Sequence, residues 1–226
     1  MPAALEVLAG LDGAPRLTLG GHAEALRAAG CSGFTATLNA MGDPRVPGVS
    51  LATLQALAAA KLTVHVHLLA EAPDRWLEAL AAGGVRSVAV AVEGVVHLHR
   101  TLALAQDLGL TAGVVLRPGT PLTALTYILQ TPARIVLLTE EPGRLRHAVL
   151  GGTYDRVRIL RENLRYHRLR TRLQVAGHMA PHEAARLSRL GATELAVHGM
   201  PGAQPSLDAE AYTTFIEQLA TTGPQS

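Results

Sequence analysis

The chain has 226 residues, of which 48% are hydrophobic and 3% aromatic, and its formal net charge is +2. That is enough apolar material for a core of Ala, Val and Leu, and the single cysteine, Cys31, excludes an intramolecular disulfide framework. The charges are spread out and no run of about 18 apolar residues could span a bilayer. We therefore expect a cytoplasmic protein that binds neither nucleic acid nor membrane.

Short apolar or alternating segments predict eight strands. They lie at 5–8, 34–38, 64–68, 87–92, 113–116, 135–138, 173–175 and 194–197. Helical spacing predicts a helix after each strand, at 22–29, 51–60, from Pro73 onward, 95–108, 121–129, 154–167, 181–190 and 207–219. Strands and helices that alternate through short loops favour a closed (β/α)₈ TIM barrel over an open doubly wound sheet. We expect one barrel over 1–220 and a tail at 221–226.

The third strand and the helix after it form the unit around which the prediction is organised. His65 and His67 alternate with apolar residues, as in a strand, and Pro73 is placed to begin a helix. The pattern puts His67 at or near the C-terminal end of its strand. In parallel α/β folds that end of the strands carries the chemistry, so His67 is a candidate site residue.

Three segments resemble the ribulose-phosphate 3-epimerase family. They read Val-His-Leu-Leu-Ala-Glu-Ala-Pro-Asp-Arg-Trp at 66–76, His-Leu-His-Arg-Thr at 97–101 and Ala-Gly-Val-Val-Leu-Arg-Pro-Gly-Thr-Pro-Leu at 112–122. The resemblance implies a barrel that binds a phosphopentose. It also implies epimerisation at C3 by two aspartates, which act as acid and base around a divalent metal, commonly zinc.

The sequence departs from the family at most of these catalytic positions. Only the third-strand ligand is kept, as His67, which is thus the one predicted metal ligand. Depending on where a two-residue gap is placed, the second-strand His becomes Thr35 or Thr37 and the Asp becomes Thr37 or Asn39. Asp43 is nearby but lies in the loop. After the seventh strand the family's aspartate becomes Ala176, which can neither carry a proton nor bind a metal.

The phosphate-binding positions are altered less. The resemblance places phosphate on backbone N–H groups after the seventh and eighth strands, where Gly177 and Gly199 match the family. His178 and His198 replace other family residues there, and Pro201 has no N–H to offer. We predict Gly177, His178, His198 and Gly199 as phosphate-binding residues. We predict His67, Asn39 and His178 as the catalytic ones.

Other polar residues near the strand ends leave alternatives open. His67, His178 and His198 could form a new three-histidine zinc site, although a histidine cluster that contacts an anion is the preferred interpretation. Glu140 and Glu141 follow the sixth strand, and either could replace a lost carboxylate. We interpret them as a solvated loop pair.

Two functions follow from the sequence. In the first, which we favour, a diverged epimerase-like barrel binds a phosphorylated sugar or another small anion and has lost the metal-dependent chemistry. In the second, an active isomerase, epimerase or lyase uses a rebuilt histidine site. An enzyme should bring titratable groups together in hydrogen-bonded pairs at the strand ends, and a binding protein should leave them scattered. The resemblance also suggests a homo-oligomer.

Overall fold

Eight parallel strands close into a barrel, as the sequence predicts. The computed structural model describes residues 5–12, 19–41, 46, 48–142, 149–200 and 207–222. Each strand pairs in parallel with its neighbours in chain order, and the last pairs with the first. The strands are β1 (Glu6–Gly10), β2 (Phe34–Ala40), β3 (Val64–Ala70), β4 (Ser87–Ala91), β5 (Thr111–Leu116), β6 (Arg134–Leu138), β7 (Arg172–His178) and β8 (Glu194–Gly199).

Seven α-helices surround the barrel in the described ranges, and none of them is long and apolar enough to cross a membrane. They are α1 (Leu19–Ala28), α2 (Leu51–Ala59), α3 (Asp74–Ala82), α4 (Leu98–Asp107), α5 (Gly152–Tyr166), α6 (Pro181–Leu190) and α7 (Ala209–Thr222). The final helix includes Thr221 and Thr222, which the sequence assigns to the tail. Residues 223–226 lie outside the described ranges.

The prediction of an α-helix at 121–129 is wrong. A 3₁₀ helix at Leu122–Leu125 and further turns connect β5 to β6. Thr126 donates both its backbone N–H and its hydroxyl to the carbonyl of Thr123, three residues back. Threonine hydroxyls compete in this way with α-helical hydrogen bonding, and the shorter 3₁₀ pattern results.

Alternate strand residues face the helices and the barrel interior. On β2, Phe34, Ala36 and Leu38 belong to the main core beneath the helices. A second apolar cluster, which includes Leu8, Leu69 and Ala176, fills the interior. β3 runs to Ala70, so the prediction that His67 lies at or near the C-terminal end of its strand is wrong. Leu69 and Ala70 continue the pairing with β2, and His67 is in the middle of the strand.

A hydrogen-bonded network crosses the interior near the N-terminal ends of the strands. Its members come from β3, β4, β6, β7 and β8, and we call it the lower polar layer: His65, Ser87, Arg134, Gln174 and Glu194. The guanidinium of Arg134 lies 2.6 Å (Nε) from Glu194 Oε2 and 2.9 Å (Nη1) from Ser87 Oγ. Gln174 Nε2 donates to Glu194 Oε2 at 3.1 Å. Side chains from five strands are thus held in one plane by complementary donors and acceptors.

The charges of this layer compensate each other. Burial works to raise the pKa of Glu194, but the hydrogen bonds and charge of Arg134 outweigh it and hold that pKa below its ordinary value. Burial, followed by the positive charge of Arg134, lowers the pKa of His65 to about 4, so His65 is neutral near pH 7. Glu194 therefore pairs with two arginines, the buried Arg134 and, at 2.7 Å, the half-exposed Arg172.

Candidate active site

A cavity opens at the opposite end of the barrel, above the carboxyl ends of the strands. Its polar lining consists of Asp12, Thr37, His67, Glu140, Glu141, His178 and His198. These residues come from β1, β2, β3, β6, β7 and β8 or from the segments that follow them. The parallel barrel thus gathers distant parts of the sequence at the face where such folds place their chemistry.

Glu140 and His178 form a close carboxylate–imidazole pair in this cavity. Glu140 Oε1 lies 2.7 Å from His178 Nδ1 and also accepts the His178 backbone N–H at 3.4 Å. Their side chains are only 13% and 8% exposed, so the interpretation of Glu140 as part of a solvated pair is wrong. Because the carboxylate accepts a hydrogen bond from Nδ1–H, Nε2 is the nitrogen through which this imidazole can exchange a proton with a ligand.

The close contact between His178 and Glu140 requires glycine at position 177. Gly177 has a φ of +145°, which side-chain-bearing residues rarely adopt, and a Cβ there would collide with Thr139 Oγ1. The chain can therefore bring the end of β7 against the segment after β6. That contact places His178 beside Glu140.

Asp12 and His198 form a second, looser pair. Asp12 accepts hydrogen bonds from the backbone N–H and the hydroxyl of Thr37 at 2.5 and 2.6 Å, which hold its carboxylate in place. Its Oδ2 lies 3.9 Å from His198 Nδ1. The ring of His198 packs over Gly10, where a Cβ would overlap it.

Burial decides the protonation state of His198. It lowers the pKa of His198, and the negative charge of Asp12 opposes this without reversing it. His198 Nε2 is buried and has no hydrogen-bond partner among the described residues. With Nδ1 on the side of Asp12, this ring is a neutral imidazole whose second nitrogen is buried and unsatisfied among the described residues.

The two imidazoles are neighbours. The ring centroids of His178 and His198 are 6.4 Å apart, with the rings nearly perpendicular. Two carboxylate–imidazole pairs therefore face one cavity.

His67 lines the cavity from below and is 1% exposed. Its Nε2 lies 2.8 Å from Gln174 Oε1. Burial, followed by repulsion from His198 when that ring is protonated, lowers the pKa of His67 to about 3, and the hydrogen bond between His67 and Gln174 only partly opposes this. His67 is therefore neutral across the physiological range.

The structure brings together four of the six residues that the sequence predicts for the site: His67, Gly177, His178 and His198. The other two lie beside the cavity. Asn39 donates to the carbonyl of Val46 at 3.1 Å and accepts the N–H of Met41 at 3.2 Å, so it secures the segment after β2. Gly199 pairs with His178 in the sheet and accepts the N–H of Met179.

The predicted phosphate position is partly occupied by the protein itself. The N–H of His178 already donates to Glu140, and the N–H of Ala180, at the start of α6, donates to the carboxylate of Glu183 at 2.8 Å. Asp43 and Pro201 lie outside the described residues, as do residues 143–148 after β6.

The residues present do not fit the metal site of the resemblance. Throughout the part of the chain that the structure describes, no three His, Cys, Asp or Glu side chains are placed to hold one metal ion. The three-histidine zinc site therefore does not form there. β2 offers Thr37 at the matching level and β7 offers Ala176, so His67 lacks the carboxylates that would complete a ligand set.

Asp12 and Glu140 are the site residues that sequence reasoning missed or undervalued. Both follow directly after a strand, as His178 and His198 also lie at strand ends. The rule that singles out residues at the carboxyl ends of parallel strands identifies all four.

Comparison with known protein sequences identifies relatives along most of the chain. A family model described as the ribulose-phosphate 3 epimerase family matches residues 20–200. The ribulose-phosphate 3-epimerase of Aquifex aeolicus is 31% identical over 161 residues, which is 71% of this chain and 71% of that protein. The enzyme of Bacillus subtilis is 33% identical over 120 residues, which is 50% of this chain and 55% of the relative.

Solved structures show the same architecture at lower sequence identity. Tryptophan synthase of Mycobacterium tuberculosis has a TM-score of 0.67 at 15% identity, over 100% of this chain and 94% of that one. A mutant tryptophan synthase alpha-subunit of Pyrococcus furiosus has a TM-score of 0.66, also at 15% identity, over 97% and 98% of the two chains. Likeness at this level of identity shows the fold alone.

Proposed function

Because the chain belongs to the ribulose-phosphate 3-epimerase family, we propose that it catalyses proton transfer at a carbon next to the carbonyl of a small phosphorylated ketose, with a rebuilt acid–base site. The observation that carries the proposal is the pair of carboxylate-linked imidazoles in one cavity. The sequence alone favours a binding protein. Paired, clustered titratable groups are what we expect of an enzyme instead.

The two imidazoles suit opposite roles. His198 is neutral and its Nε2 is buried with no partner among the described residues, so it is placed to accept the proton from C3. His178 donates Nδ1–H to Glu140, which holds the ring in place in the cavity. His178 then returns a proton to the other face of C3. One base and one acid in different environments are the usual arrangement for such chemistry.

Asp12 and Glu140 orient these rings. Asp12 is held by two hydrogen bonds from Thr37 and lies on the Nδ1 side of His198. The enediolate that forms when C3 loses its proton is negatively charged, and the proton taken up by His198 leaves a compensating positive charge beside it. When His178 gives its proton to C3, that ring becomes neutral and the sugar loses its negative charge.

The substrate class comes from the family. Relatives carry the names ribulose-phosphate 3-epimerase and ribulose-5-phosphate-3-epimerase, and we propose ribulose 5-phosphate, with its C3 epimer xylulose 5-phosphate, as the first pair to test. Glu140 holds the backbone N–H of His178, so the phosphate group binds through other donors of the cavity rim.

A binding role without catalysis is the second candidate. It is favoured by Ala176, which stands where the family carries an acid–base aspartate and contributes only a methyl group to the cavity. A phosphorylated sugar that raises the melting temperature without any exchange of its C3 proton would support this candidate.

The proposal is tested by following ribulose 5-phosphate in D₂O by NMR, with EDTA-treated protein and after addition of zinc. We expect conversion to the C3 epimer with deuterium at C3. His178→Asn and His198→Asn should each reduce conversion roughly 10²- to 10⁴-fold, the usual contribution of one acid–base group. His182→Asn, an exposed histidine on α6, is the matched control and should stay within about twofold of the wild-type rate.

No conversion by the wild-type protein under either condition would contradict the proposal. If His178→Asn and His198→Asn convert the sugar as fast as the control His182→Asn, the roles of His178 as acid and His198 as base are contradicted. Circular dichroism and unfolding curves of each variant establish that a lost rate does not reflect a lost fold.

A further inference from the structure

The lower polar layer reaches the cavity through one side chain, Gln174. Its Oε1 lies 2.8 Å from His67 Nε2, and its Nε2 lies 3.1 Å from Glu194 Oε2. His67, Gln174 and Glu194 are each 0% or 1% exposed. Because these three side chains are almost fully buried, their hydrogen bonds to one another decide where each proton lies.

Glu194, at the end of this series farthest from the cavity, determines the donor and the acceptor in each of its hydrogen bonds. Arginine has only donors, and Arg134 contacts Glu194 at 2.6 and 3.1 Å, so the carboxylate is ionised and can only accept. Gln174 must therefore turn its amide N–H toward Glu194. The opposite orientation would set two acceptor oxygens against each other in a buried site.

The orientation of Gln174 also determines which nitrogen of His67 carries the proton. With its amide directed at Glu194, Gln174 presents its carbonyl oxygen to His67 Nε2. That nitrogen must then carry the proton. In a neutral imidazole the other nitrogen, Nδ1, is left with the lone pair.

We propose that Gln174 is a positioning residue, which holds His67 in the Nε2–H tautomer so that its Nδ1 accepts a hydrogen bond from a substrate hydroxyl. The substrate part of this inference rests on the proposed function, and the tautomer does not. Toward the substrate, His67 is then only an acceptor. It orients the substrate while His178 and His198 transfer protons.

Gln174→Met and Gln174→Glu separate this role from simple packing. Methionine has a similar size but makes neither hydrogen bond. A protonated glutamic acid at 174 can donate its O–H to Glu194 and accept from His67 with its carbonyl oxygen, so it reproduces the direction of both bonds. Ser87→Ala is the matched control, because it removes a hydrogen bond to Arg134 from the same layer and leaves Gln174 untouched.

The tautomer is read from two-bond ¹H–¹⁵N spectra of protein labelled at histidine, with the His67 signals assigned from their absence in His67→Asn. We expect the Nε2–H pattern in the wild type, in Gln174→Glu and in Ser87→Ala, and a mixture of tautomers in Gln174→Met. Conversion of ribulose 5-phosphate should fall roughly 10- to 100-fold in Gln174→Met, as for other residues that orient a site ligand. It should stay within about threefold of wild type in Ser87→Ala.

An Nδ1–H or mixed pattern in the wild-type protein would overturn the inference, even if no variant folds. So would a tautomer that Gln174→Met leaves unchanged. The spectra need no substrate, so they decide this inference independently of the conversion assay, which decides the proposed function.

Discussion

The two ends of the barrel use the same kinds of side chain in different ways. The lower polar layer and the cavity above it each combine histidine with carboxylates. In the lower layer, Glu194 is paired with Arg134 and bonded to Gln174, at distances from 2.6 to 3.1 Å. In the cavity, Asp12 and His198 are 3.9 Å apart, and His198 Nε2 has no partner among the described residues.

The difference separates structural from functional polar groups. Groups that satisfy one another completely stabilise a unique arrangement and have no capacity left for a ligand. A buried nitrogen without a partner costs free energy unless a ligand completes it, so its presence points to function. The lower polar layer therefore stabilises the fold, and the cavity keeps the capacity to bind a ligand.

The largest effect on stability is expected in the lower layer. Glu194→Leu leaves the charge of the buried Arg134 without its main partner, and such changes cost about 3–5 kcal/mol. Asp12→Asn keeps its size and most of its contacts with Thr37, and should cost about 1 kcal/mol. Urea unfolding curves of the two variants measure both values. A smaller loss for Glu194→Leu than for Asp12→Asn would contradict the division between the two regions.

A backbone change at the cavity should have an intermediate effect. Gly177→Ala places a Cβ against Thr139 Oγ1 at a φ of +145°, which should cost about 2 kcal/mol and displace His178 from Glu140. Gly119→Ala is the control, because a Cβ there meets open space and its φ is not positive. The same unfolding curves apply, and equal stability of the two variants would show that Gly177 is not required for the approach of β7 to the segment after β6.

Each of the two regions contains a histidine that makes stability depend on pH: His67 in the cavity and His65 in the lower polar layer. The pKa of His67 is about 3 and that of His65 about 4, whereas both are near 6.5 in the unfolded chain. Between pH 6.5 and 5 the unfolded chain binds protons on these rings that the folded protein does not bind, so the free energy of unfolding falls as the pH falls.

Each ring contributes a slope of up to about 1.4 kcal/mol per pH unit. His67→Gln should therefore reduce the slope by up to that amount. Unfolding measured at pH 5.0, 5.75 and 6.5 stays above the range where Glu194 begins to accept a proton. An unchanged slope would mean that His67 is protonated in the folded state.

Most of the fold could be predicted, because strand and helix periodicities are local. α2 begins at Leu51 and α6 at Pro181, the positions at which helical spacing predicts them. The helix predicted at 121–129 failed because threonine hydroxyls bond locally to the backbone, which apolar spacing does not reveal.

The site could be predicted only in part. His67, His178 and His198 are reachable from strand-end reasoning, but the partners of these rings are not. Glu140 lies in a polar loop sequence, and only the contact between the end of β7 and the segment after β6 shows that it is buried. The carboxylate of Asp12 is held at the cavity by hydrogen bonds from Thr37, which is 25 residues away in the sequence. Side-chain contacts between the ends of different strands depend on the three-dimensional geometry of the barrel. Periodicity along the sequence carries no information about those contacts.

The central claim is that His198 and His178 act on opposite faces of one carbon. The direct test is exchange of the C3 proton into the starting sugar, measured in D₂O for each variant and each epimer. The account predicts that His178→Asn still exchanges the C3 proton of ribulose 5-phosphate but not that of xylulose 5-phosphate, and that His198→Asn shows the reverse. Exchange lost from both epimers in both variants, or kept in both, would contradict it.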